Sequence, residues 1–200
     1  MNTALVPVGS VVIAPSNGIH IAGFERLDQR EDMALPYLRV VQPTSTQAEL
    51  MSGGDAKPGQ FYDTALRVAY NELLFAILAV QKFSVVWQDG KDPQLMYLIL
   101  GADQHLEPFV LKVSGTSVFS LKSLITSVAR LGSPAAWFYR VRAVTEKRES
   151  NKDGQPRKWF SIRFYIMDET TEEERTALQE LAEQLSIGEA LPPLEPDEIN

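Results

Sequence analysis

Short strand-forming runs punctuated by turn residues, with one amphipathic helix among them and another after them, predict a mainly β fold with helices. The strand candidates do not alternate regularly with helices, as a doubly wound parallel sheet would require. The chain has 200 residues, 44% of them hydrophobic, enough for one domain with appendages and a sizeable core. The expected body is a small, curled mixed or antiparallel sheet.

Element by element, Val6 to Ala14 is a β-prone run, followed by the turn Pro15-Ser16-Asn17-Gly18. Residues 1–34 read as an N-terminal strand or arm. Leu38 to Val41 is a short extended run after Pro36, and that proline biases Leu35 away from helix. Thr44 to Gly59, with Ser52, Gly53, Gly54, Pro58 and Gly59, reads as a loop. Phe61 to Ala79 is ambiguous, because Leu66, Ala69, Tyr70, Leu73 and Leu74 fit a helical face while apolarity continues beyond them. Gln81, Phe83, Val85 and Trp87 alternate as in a strand, Asp89-Gly90 marks a turn, and Leu95–Leu100 and Phe109–Val113 supply two more strands.

Ser117 can cap a helix whose Leu121, Leu124, Ile125, Val128 and Leu131 repeat at helical spacing, with Gly132 and Pro134 to stop it. Trp137–Val144 and Lys158–Ile166 are strands joined by a polar loop carrying Asp153-Gly154. Thr171 and Glu174 form a capping box before the stripe Leu178, Leu181 and Leu185. After Gly188, three prolines prevent regular structure. This order favours a five-stranded OB-like barrel with insertions over residues 35–167, an acidic amphipathic helix over 168–187 and a flexible acidic tail over 188–200. A different α+β sheet is the competing architecture.

Composition removes several function classes. There is no cysteine, so disulfide scaffolds, thiolate metal sites and cysteine nucleophiles are excluded, and His20 and His105 are too few for a histidine-rich metal centre. No GxxxxGK[ST], GxGxxG or HExxH motif occurs. Asp89, Asp92, Asp103 and Glu107 offer oxygens to a divalent ion, but Asp89-Gly90 is more naturally a turn. His105 lacks a nucleophile partner in supporting context. The expectation is a non-enzyme without cofactor or metal. The apolar N-terminus has no basic leader and no run is long enough to span a bilayer, so a cytoplasmic location without membrane association is expected.

The net charge is −7 but unevenly distributed. Residues 168–200 hold eleven acids against Arg175, a net of −10, so residues 1–167 carry +3. Trp137 to Arg163 alone carries +5, with eight bases against three acids. Splitting the two late strands by face sharpens this. Burying Tyr139, Val141 and Ala143 together with Phe160, Ile162 and Phe164 leaves Arg140, Arg142, Trp159, Arg163 and Tyr165 on one outward surface. Lys147, Arg148, Lys152, Arg157 and Lys158 then decorate the connecting loop. Cationic groups that replace counterions along phosphates, interleaved with aromatic rings that stack on any base, suit single-stranded nucleic acid. The alternative is equally concrete: Trp159 packs under the C-terminal helix, and the arginines pair with Glu172–Glu174 or keep an edge strand soluble. Phe83, Trp87 and Tyr97 extend the aromatic set only if they are not core residues.

The strings PYLRVVQPTS (Pro36–Ser45), KPGQFYD (Lys57–Asp63), QKFSVVW (Gln81–Trp87), FSLKSLI (Phe119–Ile125) and the hairpin WFYRVRAV…RKWFSIRFYI carry a resemblance. Over residues 35–167 the chain resembles single-stranded-DNA-binding proteins of bacteriophages and related mobile elements, which use an OB fold. The resemblance implies sequence-tolerant binding of single-stranded DNA (ssDNA) in replication or recombination, without catalysis, in a bacterial or phage-infected cell. It also implies that the acidic C-terminus recruits replication or recombination proteins or regulates access of DNA. Self-association is compatible with it. The familiar bacterial pattern ends in an apolar tip with an aromatic residue, whereas this chain ends in LEPDEIN. The competing function is a non-catalytic protein-interaction or structural module that uses the basic hairpin and acidic helix as interfaces. Duplex reading is disfavoured, because the 117–131 helix carries only Lys122 and Arg130.

Overall fold

A computed structural model describes residues 35–43, 56–63, 66–85, 94–132, 135–152 and 155–185. The expectations for residues 1–34, for Trp87 and Asp89-Gly90, for most of the 44–59 loop and for the 188–200 tail lie outside these residues.

Among the described residues, eight strands form one mixed sheet: β1 (Tyr37–Val40), β2 (Phe61–Asp63), β3 (Val68–Tyr70), β4 (Glu72–Val85), β5 (Gln94–Asp103), β6 (Pro108–Ser114), β7 (Tyr139–Lys152) and β8 (Gln155–Glu169). Their order across the sheet is β3-β2-β1-β6-β5-β4-β7-β8. Only β1 and β6 run parallel; the other neighbours are antiparallel. Helix α1 (Ser117–Arg130) follows β6, a 3₁₀ turn over Ala136–Phe138 leads into β7, and α2 (Glu172–Gln184) follows β8. The protein is therefore mainly β, a curled half-barrel with two helices.

Phe61–Ala79 is strand throughout its regular parts, which resolves the helix–strand ambiguity. The run Leu73–Val80 is apolar without alternation because both faces of β4 are covered. Phe75, Ile77 and Val80 join Ile99, Leu111, Val141 and Ile162 in a core that α1 closes with Val118, Leu121 and Leu124. Ala76, Leu78 and Ala79 join Leu100, Ala102 and Val110 in a second layer, covered by Leu178 and Ala182 of α2. The register against β5 shifts between Ile77 and Ala79, so Leu78 and Ala79 face the same side. Such a bulge bends the strand and helps the sheet curl.

The curl brings β8 back towards the start of the chain. Gln42 receives the Phe160 N–H at 3.0 Å and donates to the Phe160 carbonyl at 3.1 Å, while Thr145 donates to the Gly59 carbonyl. Gly59 has a φ of +91°, and a Cβ there would lie 2.6 Å from the Phe160 ring, so glycine is required at this contact. The outer edge of β8 is satisfied by side chains. Ser117 accepts the Ile162 N–H at 2.8 Å and Ser120 the Phe164 N–H at 3.0 Å. This corrects the reading of Ser117 as a helix cap: Thr116 holds the cap position without a side-chain capping bond, and the Ser117 hydroxyl closes a sheet edge instead. The capping box of α2 is present, with Thr171 and Glu174 bonding each other's backbone N–H.

Candidate nucleic-acid interface

The long β7–β8 hairpin differs from its sequence reading in length. Strand pairing continues to Lys152 opposite Gln155, leaving only Asp153-Gly154 between the strands. Lys147, Arg148, Lys152, Arg157 and Lys158 are therefore strand residues, which corrects their assignment to a loop. Charged residues persist in the ladder because cross-strand and same-face ion pairs satisfy them.

Register sorts these residues onto two faces. Tyr139, Val141, Ala143, Ile162 and Phe164 are buried as expected. On the outer face, Arg142 stands opposite Tyr165, Val144 opposite Arg163, Glu146 opposite Ser161, Arg148 opposite Trp159 and Ser150 opposite Arg157. Four guanidiniums and two aromatic rings thus share one ribbon face. Lys147 and Lys158 fall on the opposite face with Glu149, which they approach to 2.6 and 4.0 Å. The hydrogen bond from Lys147, then the charges of both lysines, hold the Glu149 carboxyl below the usual carboxylate range. Lys152 is placed only by its backbone register.

The outer-face arginines have carboxylate partners. Arg142 donates through Nε and Nη2 to Glu72 at 3.0 and 2.6 Å. Arg163 Nε and Arg148 Nη2 converge on one Glu146 oxygen at 2.6 and 2.8 Å, and Arg148 also reaches Ser161 Oγ. Arg157 is exposed and has no ion-pair partner among the described residues. Four cations against Glu72 and Glu146 leave this face at about +2. Exposed ion pairs of this kind stabilise by about 0–1 kcal/mol, so a phosphate can replace either carboxylate at small cost. Tyr165 is 51% exposed.

Arg140 is elsewhere. It forms an ion pair with Glu174 of α2, with side chains 33% and 30% exposed, and it lines a pocket under that helix. The alternative pairing of hairpin arginines with residues 172–174 therefore holds for Arg140, which corrects its place on the outward binding surface, while Arg142, Arg148 and Arg163 pair with Glu72 and Glu146. Trp159 does not pack under α2. Its Nε1 donates to Thr116 Oγ1 at 2.9 Å, at the start of α1. Tyr97 is a core residue at 6% exposure, and the Phe83 side chain and Trp87 lie outside the described residues. In the β5–β6 turn, Asp103 accepts the backbone N–H groups of His105 and Glu107, so its carboxylate shapes the turn.

Sequence reasoning passed over Phe119. It is 75% exposed, more than any other large hydrophobic residue among those described. Its position in an amphipathic helix concealed it, and only the phase of α1 on the sheet reveals which way it faces. A further cationic pair, Arg39 and Lys112, lies on adjacent strands β1 and β6; burial and then the Arg39 charge lower the Lys112 ammonium below the usual lysine range.

Residues 13–96 match a family model described as Pam3 phage gp34-like protein. The chain is similar to that family from before β1 into the first residues of β5, a stretch that excludes α1 and the β7–β8 hairpin. The description suggests a phage protein. Comparison with curated proteins returns no match, and neither does comparison with solved structures. Among the described residues, no helix is long and apolar enough to cross a membrane, and no cluster of three or more His, Asp or Glu side chains could hold a metal ion.

Proposed function

We propose that this chain is a non-catalytic, largely sequence-independent ssDNA-binding protein of OB-like architecture, serving phage replication or recombination in the cytoplasm of a bacterial or infected cell. The observation that carries the reading is the outer hairpin face, where Arg142, Arg148, Arg157 and Arg163 interleave with Trp159 and Tyr165. A ribbon of this kind combines counterion release with stacking platforms, the two terms on which sequence-tolerant binding of a single strand rests. The strand order supports the OB-like assignment. The meander β4-β5-β6 is followed by α1 and then a hairpin whose first strand returns beside β4, the order of a partly open five-stranded Greek-key barrel. On this reading β1–β3 are the insertion, added beyond β6.

The test is fluorescence-anisotropy titration with labelled oligo-dT, oligo-rU and duplex DNA of roughly 30 nucleotides at several salt concentrations. Preferential, salt-sensitive binding of oligo-dT is expected. A folded, monodisperse sample that ignores all three ligands would favour the interaction-module reading. That second reading has its own support in a pocket of about 240 Å³ between α2 and the 103–107 turn, lined by the exposed Leu74 and Leu106 together with Ala177.

Arg140 gives an internal control. Because it anchors Glu174 of α2 through a part-buried ion pair, Arg140→Ala is expected to lower stability by about 1–2 kcal/mol, between the worth of an exposed ion pair and that of a buried charged hydrogen bond. The same variant should leave ssDNA affinity within about twofold, since this guanidinium is already engaged. Thermal melts and the anisotropy titration read the two effects separately.

A further inference from the structure

We propose that the DNA path does not end on the hairpin but turns onto the outer face of α1, where Phe119 is a third base-stacking residue and Lys122 and Arg130 neutralise phosphates. The inference rests on the ssDNA reading above and extends its site to an element that reading does not use.

Three observations carry it. Phe119 exposes 75% of its surface on a helix whose Val118, Leu121 and Leu124 are buried, so it is not a core residue displaced from its place. It follows Thr116 by three residues, one helical turn along the same side, and Thr116 Oγ1 holds the Trp159 indole at 2.9 Å. The last aromatic of the outer hairpin face and the exposed ring of α1 therefore share one corner of the molecule. Finally, α1 carries no acidic residue in its whole length, and Lys122 and Arg130 share the outward side with Phe119.

A single ring flanked by Ser123, Thr126 and two cations is poor in the apolar area that a protein–protein contact requires. A nucleic-acid strand needs only what is present: a ring for a base and positive charge for the phosphates on either side. The hydroxyls of Thr126 and Ser127 donate back to the carbonyls of Lys122 and Ser123, which leaves the two cations and the Ser123 hydroxyl to meet phosphate.

The experiment compares Phe119→Ala, Phe119→Leu and Phe119→Tyr with the parent chain in oligo-dT titrations, with sedimentation velocity and thermal melts on the same samples. Alanine and leucine are expected to weaken binding by about tenfold, and tyrosine to retain it within about twofold, because stacking needs a ring and not merely apolar volume. Melting should be unchanged, since the side chain is exposed. A second pair, Lys122→Ala with Arg130→Ala, should lower the salt slope by about 1.4, at about 0.7 per phosphate contact. If the parent binds oligo-dT and all three Phe119 variants bind equally, the α1 path is wrong and the hairpin reading stands. If the alanine variant instead converts a dimer to a monomer at unchanged affinity, a second copy of the chain covers Phe119 and the proposal is overturned. A parent chain that binds no oligo-dT removes both the hairpin reading and this extension of it.

Discussion

Replacing Arg148, Arg157 and Arg163 together by alanine is expected to lower ssDNA affinity by about 100-fold at about 50 mM salt. Each phosphate contact on a single strand contributes about 0.7 to the slope of log affinity against log salt, so the triple variant should lose about 2 from that slope. The loss is compounded by Glu146. Arg148 and Arg163 neutralise this carboxylate in the parent chain, and without them it faces the DNA as a bare negative charge. Lys147→Ala with Lys158→Ala is the matched control. Those ammoniums lie on the opposite ribbon face against Glu149, so their removal should change affinity far less. Equal losses from the two variants would mean that general hairpin charge, and not one face, attracts the ligand. A folded triple variant with unchanged affinity and slope would remove the outer face from the interface altogether.

The other large effect concerns α2. Leu178 is 3% exposed and rests on the layer formed by Ala76, Leu78, Leu100, Ala102 and Val110. Leu178→Asp places an unpaired carboxylate in that layer, a cost of about 4 kcal/mol, which is a large part of the stability of an ordinary domain. At about 2–4 °C per kcal/mol for a chain of this size, melting should fall by about 10 °C, with loss of helical signal. Once α2 lifts, the sheet layer beneath it is exposed and the variant should aggregate on heating. Glu180→Asp, two residues along on the exposed side and with its charge kept, should melt close to the parent. A Leu178→Asp chain with parental melting would mean that the helix does not pack through this stripe.

The same stripe shows how much was legible in the chain. The capping box and the spacing of Leu178, Leu181 and Leu185 fix the existence, start and buried face of α2, because a helix writes both its cap and its period locally. The inner and outer faces of the hairpin were equally readable, since strand periodicity of two assigns Val141, Ala143, Ile162 and Phe164 to the core without reference to anything distant. The mainly β class followed from the same kind of local pattern.

Other features depended on contacts far apart in sequence. Leu73–Val80 hid its strand character because α1 covers one face and α2 the other, and a strand buried on both sides has no alternation to read. The polar end of the hairpin reads as loop because the pairs that keep it in register, such as Arg163 with Glu146, span the two strands. Ser117 looks like a cap until β8 arrives beside it with an unsatisfied N–H from Ile162. For the interface, the sequence by itself determined which residues are cationic or aromatic and that most alternate towards solvent. The tertiary structure alone decided that Arg140 is taken by Glu174, that Lys147 and Lys158 turn the other way, and that Trp159 is tied to Thr116 at the start of the helix that exposes Phe119. Those outcomes depend on register, strand curvature and helix docking, which are set by packing between distant segments and leave no local signal in the chain.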